Sequence, residues 1–90
     1  MTITLRIPIS LNNLLNGREE AFCRGNTVEE CLNDIEKKYP GFYANLTSSN
    51  KEITNVLIFL NGENIINMEG RETKVKEGDE ISIIPFAAGG

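Results

Sequence analysis

An α+β domain, one main helix packed on a mixed sheet of four to five strands, is the fold class this sequence predicts. Three observations carry it. Ile3, Leu5, Ile7 and Ile9 alternate with Thr2, Thr4, Arg6 and Pro8, and period 2 marks a half-buried strand. Val28, Cys31, Leu32, Ile35 and Tyr39 recur at helical spacing and define one apolar face. Ile53 to Leu60 reads as the strongest strand and contains the wholly apolar run Val56 to Leu60. Ninety residues make a single domain over 1–90. A chain of that size buries only about 60% of the surface its unfolded form exposes. One core is the most it can build, so function falls to a surface, a loop or a terminus.

The elements follow in order. Pro8 cannot donate to a ladder, so the first strand ends at an edge or a bulge. Asn12 to Gly17 reads as a turn or loop with Asn16-Gly17 as its stop signal. Arg18 to Arg24 returns as a weaker strand around Ala21-Phe22-Cys23. Thr27 and Glu30 fit a capping box in which the hydroxyl takes a free backbone N–H and the glutamate reaches back. Acids early in the helix and Lys37-Lys38 late suit its dipole, and Pro40-Gly41 ends it. So short a helix does not hold in water alone and must lie on a sheet. Phe42, Tyr43 and Leu46 form an irregular turn, and the polar run Thr47 to Glu52 an exposed loop. Asn61-Gly62 is a hairpin turn into a short strand, Glu63 to Asn67. Met68 to Val75 is a connector, Lys76 to Asp79 a tight turn, and Glu80 to Phe86 the last strand. Ala87-Ala88-Gly89-Gly90 is a flexible tail. For the last strand to meet the first, they must run side by side, which is the β-grasp arrangement.

Composition narrows the function. Nine basic against 13 acidic residues give a net charge of −4, and the longest basic run is Lys37-Lys38. Duplex nucleic-acid binding needs a basic stripe that is absent from this sequence. The sequence contains no histidine, which removes Ser-His-Asp and Cys-His schemes and histidine metal sites. Two cysteines cannot supply a four-thiolate metal site within one chain. Cys31 falls on the apolar helix face and reads as a buried structural thiol; Cys23 reads as a free, inert one. The start MTITLRIPIS lacks a basic and apolar leader pattern, and Val56 to Leu60 is too short to span a bilayer. The expectation is a reduced, soluble, cytoplasmic protein. Asn45-Leu46-Thr47 matches a glycosylation sequon, which matters only in a secretory compartment.

Catalytic motifs are sparse. The sequence has neither G-x-x-x-x-G-K-[ST] nor G-x-G-x-x-G. Glu19-Glu20 and Glu29-Glu30 are adjacent, so their side chains diverge and do not work as an acid–base pair. The terminus stands out instead. Ala87-Ala88-Gly89-Gly90 has almost no side-chain bulk and follows the last strand without a linker. Such a tail enters a narrow channel in extended form, Ala87, Ala88 and Gly89 threading it and Gly90 placing its α-carboxylate at a deep site. Gly89 and Gly90 let another backbone approach closely.

Gly78-Asp79-Glu80-Ile81-Ser82-Ile83-Ile84-Pro85, closing on Ala87-Ala88-Gly89-Gly90, resembles the C-terminus of MoaD/ThiS-type ubiquitin-like sulfur-carrier proteins. Val56 to Ile65 is similar to their central strand and hairpin, and Gly70-Arg71-Glu72-Thr73 to the connector of the MoaD-like branch that includes the CysO type. Pro85 followed by Phe86 departs from the double proline of the MoaD type proper. The resemblance implies a β-grasp carrier that is a co-substrate, not an enzyme. A MoeB/ThiF-type adenylyltransferase would adenylate the Gly90 carboxylate with ATP, so ATP is used through the partner and no cofactor is bound by this chain. A sulfur donor would displace AMP and leave a thiocarboxylate. A sulfur-accepting synthase, MoaE-like or cysteine-synthase-like, would receive the sulfur in molybdopterin, thiazole or cysteine synthesis. The alternative is a ubiquitin-like modifier joined to lysines through Gly90.

Ordering Pro85 to Gly90 costs on the order of 1–2 kcal/mol per residue, roughly 6–12 kcal/mol in all. Burying an Ile or Phe side chain returns about 1.5–3 kcal/mol. The tail therefore needs a wider docking surface. Ile81 and Ile83 share one face of the last strand; Ser82, Ile84 and Phe86 share the other. The face with Ile84 and Phe86, with Leu57 or Phe59 beside it and Pro85 at its end, is the expected partner surface. Both parities of the third strand are apolar, so its outward set stays open from sequence.

Overall fold

A computed structural model describes residues 2–47, 53 and 56–85. β1 (Ile3–Arg6) and β2 (Glu20–Cys23) form an antiparallel pair. α1 (Val28–Lys38) follows, then β3 (Val56–Leu60), β4 (Glu63–Asn64) and β5 (Glu80–Pro85). The five strands make one mixed sheet in the order β2-β1-β5-β3-β4, with β1 and β5 parallel at its centre. This is the predicted β-grasp architecture. The inward residues Ile3, Leu5, Val56, Ile58, Leu60, Ile81 and Ile83 bury against Val28, Cys31, Leu32 and Ile35 of α1.

The helix begins as its sequence dictates. Thr27 Oγ1 accepts the Glu30 N–H at 3.1 Å, and Glu30 Oε1 reaches back to the Asn26 N–H at 2.8 Å. Past the helix, Glu36 accepts from the Gly41 and Tyr43 N–H groups at 2.9 and 2.8 Å, fixing the reversal and holding its own pKa below the ordinary value. Phe42 and Leu46 of that turn are buried, so it extends the core. Asn61 (φ 50°) and Gly62 (φ 89°) make the two-residue hairpin turn, since both central positions need positive φ.

Four boundaries differ from the sequence reading, one of them the second strand, read over Arg18 to Arg24 and found at Glu20–Cys23. Ile9 does not continue the first strand: Ile9–Leu15 is a 3-10 segment, and Ile9 is 70% exposed. Pro8 has no N–H for the ladder, and its carbonyl instead accepts from Leu11 N–H at 3.0 Å. The third strand starts at Val56; Ile53 only bridges Thr47. The strand read over Glu63 to Asn67 stops after Asn64, whose side chain accepts the Ile66 N–H at 3.0 Å and starts a 3-10 turn, Ile65–Asn67. The connector carries a second such turn, Gly70–Glu72. Of the last strand, Phe86 lies outside the described residues, as does the tail Ala87 to Gly90.

The Gly-Asp turn before β5 is tied to the hairpin. Asp79, 5% exposed, accepts from the Asn61 amide at 3.0 Å and the Lys76 backbone N–H at 2.9 Å. Burial opposes its charge, but these donors and the Lys76 ammonium outweigh it and hold its pKa below the ordinary carboxylate value. With a folded pKa below the unfolded one, Asp79 contributes stability that is present above about pH 4 and lost as pH falls through its folded pKa. Asp79→Ala removes two hydrogen bonds to a buried charged acceptor, from the Asn61 amide and the Lys76 N–H, and should lower unfolding stability by about 1–3 kcal/mol. Urea titrations at neutral and acid pH check this: the gap between the two proteins should shrink on acidification.

Candidate functional site at the exit of the last strand

The outer sheet face, opposite α1, resolves the parity question. Val56, Ile58 and Leu60 are buried, so Leu57 and Phe59 point outward and are half-buried. Leu57 lies directly across from Ile84, and Phe59 from Ser82. Ile84 is 42% exposed. Of the predicted partner residues, Phe59 and Ile84 thus fall on one outer surface with Leu57, whereas Pro85, across from the inward Val56, has the parity of the buried Ile81 and Ile83 and does not join it. Pro85, opposite Val56, is the last residue described. Phe86, the expected threading residues Ala87, Ala88 and Gly89, and the expected reacting residue Gly90 follow it in sequence and lie outside the described residues. Five residues in extended form reach at most about 18 Å. The apolar patch is therefore built at the root of the tail, where contacts can offset its ordering.

Beside this apolar row runs an ionic one that sequence reasoning missed. Arg6 Nη2 lies 2.9 Å from Glu20 Oε2, and Arg6 Nε donates to Glu80 Oε2. Arg6 pairs across from Ser82 and Glu20 in the ladders, so cross-strand geometry assembles these groups. Hydrogen bonding to Glu80 first, then the charge of Glu20, raises the already high pKa of the guanidinium. Exposed pairs of this kind add little stability. They set the charge pattern a partner meets. The signal was available: Arg6 and Glu80 each sit at the outward parity of their strand.

Away from this face, Arg71 of the connector donates to the Tyr43 hydroxyl, which donates to Glu29 Oε1 at 2.7 Å. Arg71 and Glu29 are themselves 3.4 Å apart. Burial, then Glu29, push the Tyr43 phenol up to about 12. These three residues help line a cavity of about 440 Å³ and pin the connector to α1. Cys23 and Cys31 are both buried, Cys23 with its sulfur 3.5 Å from the Ile3 carbonyl oxygen. The neighbouring Cys31 thiol and burial push the Cys23 pKa up, away from the reactive thiolate. No helix among the described residues is long and apolar enough to cross a membrane.

A five-stranded β-grasp sheet on one helix, with an apolar patch at the end of its last strand, defines a class: small ubiquitin-like domains. Within that class, the ThiS family model matches residues 6–90, and the chain belongs to the ThiS family. It is 30% identical, over 93 residues spanning all of both chains, to the sulfur carrier protein CysO of Mycobacterium tuberculosis. In three dimensions it resembles a chain of the Amycolatopsis orientalis BexX/CysO complex, with a TM-score of 0.87 and 32% identity over 98% of this chain and 99% of that one. It also resembles small archaeal modifier protein 1 of Methanosarcina acetivorans, with a TM-score of 0.82 and 28% identity over 99% and 96% of the two chains.

Proposed function

We propose that this chain is a sulfur carrier whose working group is the Gly90 carboxylate. The observation that carries the reading is the family match running through the final Gly-Gly, on a chain whose described β5 carries Ile84 outward beside Leu57. A carboxylate is a poor electrophile until one oxygen becomes a good leaving group. A MoeB/ThiF-type enzyme would hold ATP and join AMP to the Gly90 carboxylate, releasing pyrophosphate. A sulfur donor then attacks the acyl carbon, AMP leaves, and a thiocarboxylate remains. A sulfur-accepting synthase, MoaE-like or cysteine-synthase-like, would then take the sulfur. The chain is consumed and regenerated as a co-substrate rather than acting as the catalyst. The similarity to a solved chain from a two-protein complex supports a partner-dependent role.

The likeness to a small archaeal modifier protein favours one second reading, conjugation to lysines through the same adenylate. ATP–pyrophosphate exchange with an activating enzyme tests the shared step. Exchange should depend on the intact chain and vanish when one alanine is appended after Gly90. Exchange that persists with the appended chain contradicts both readings. Isopeptide-linked Gly90 in lysates, with no thiocarboxylate formed, would replace the carrier with the modifier.

A further inference from the structure

Among the described strands, β2 and β4 form the two edges of the sheet. β4 has only two residues and is too short to template a neighbour. β2 has four, and the ladder gives its backbone phase. Ile7 N–H donates to the Glu19 carbonyl at 3.0 Å. Residues alternate in an antiparallel pair, so Glu19, Ala21 and Cys23 turn their backbone groups to β1. Glu20, Phe22 and Arg24 turn theirs to the edge, where a further strand would pair.

Two side chains of α1 already hold that edge. Lys38 Nζ donates to the Phe22 carbonyl at 2.7 Å, and Asp34 Oδ2 accepts the Arg24 N–H at 2.9 Å. One helical turn apart, the two also pair with each other at 3.2 Å. A strand added to β2 would need its own N–H where the ammonium sits and its own carbonyl where the carboxylate sits. A lysine late in a helix suits the helix dipole, but this ammonium lies on a carbonyl of the sheet. Burial opposes the charge on Asp34; the Arg24 N–H and Lys38 outweigh it and hold its pKa below the ordinary carboxylate value.

The edge is complementary to itself. If β2 of two copies ran antiparallel about Phe22, Phe22 would face Phe22, and Glu20 would face Arg24 twice. An aromatic pair and two opposite-charge pairs are favourable cross-strand neighbours. Phe22 is 56% exposed, so its ring is available for such a contact.

We infer that Asp34 and Lys38 are edge guards: they occupy the β2 backbone groups that a second copy would pair with, and so keep the chain monomeric. Asp34→Ala/Lys38→Ala should associate at millimolar concentration and double the molar mass seen by sedimentation equilibrium, while the wild type stays at the monomer mass. Adding Phe22→Lys should return the double variant to the monomer, because two lysines would then face each other across the edge. Amide hydrogen exchange at Arg24 reads the guard within a single chain. It should be roughly tenfold or more faster in Asp34→Ala than in the wild type, the loss of one charge-assisted hydrogen bond. A folded double variant that stays monomeric overturns the guard, as does a dimer that Phe22→Lys leaves intact or a wild type already dimeric through β2. An Arg24 amide that exchanges equally fast in the wild type and in Asp34→Ala overturns it even where the double variant fails to fold.

Discussion

Deleting Gly90 should abolish activation while leaving the fold intact. The deletion draws the terminal carboxylate back by about 3.3–3.6 Å. Reacting groups must approach within near-attack distance, and a misplacement of 1 Å already costs about 100-fold. Adenylation should therefore fall by at least about 100-fold. The melting curve should not change, because the described core is built from residues 3–83. Steady-state exchange kinetics beside a thermal melt separate the two effects. A deleted chain activated at the wild-type rate would mean that Gly90 is not the reacting residue.

Ile84→Asp should have the second largest effect, and on binding. Ile84 is 42% exposed and packs across the ladder against Leu57 on the outer face, so its side chain is not core. Surface substitutions usually stay within about 0.5 kcal/mol of wild-type stability. A charged carboxylate in the centre of an apolar contact, in contrast, removes a hot spot of about 2 kcal/mol, or roughly a 30-fold rise in Kd. Isothermal titration against the activating enzyme measures this. Ile83→Asp is the internal contrast: Ile83 is 1% exposed on the opposite face, and its variant should unfold. If Ile84→Asp unfolds instead and Ile83→Asp does not, the faces have been exchanged.

What the sequence revealed and what it hid follow from the range of the forces involved. The capping of α1 at Thr27, the Asn61-Gly62 turn and the alternation in β1 and β5 are local, and each was legible from neighbouring residues. The outward parity of β3 was not, because Val56 to Leu60 is apolar on both faces. Only pairing with β5, where Leu57 meets Ile84, assigns it. Ile9 misled for a related reason: its spacing continued the alternation, but Pro8 cannot continue the ladder. The ionic row of Glu20, Arg6 and Glu80 brings together three strands, and no local pattern couples them. The terminal residues were read from composition and the resemblance they carry, and they lie outside the described residues.

Intact-mass spectrometry of the chain after incubation with ATP, an activating enzyme of the MoeB/ThiF type and a sulfide donor addresses the central claim most directly. The expected result is a mass gain equal to replacing one oxygen by sulfur, located on Gly90 by fragmentation and absent when ATP is withheld. An unmodified Gly90 in a chain that binds the enzyme, or sulfur found on Cys23 or Cys31 in its place, would contradict it.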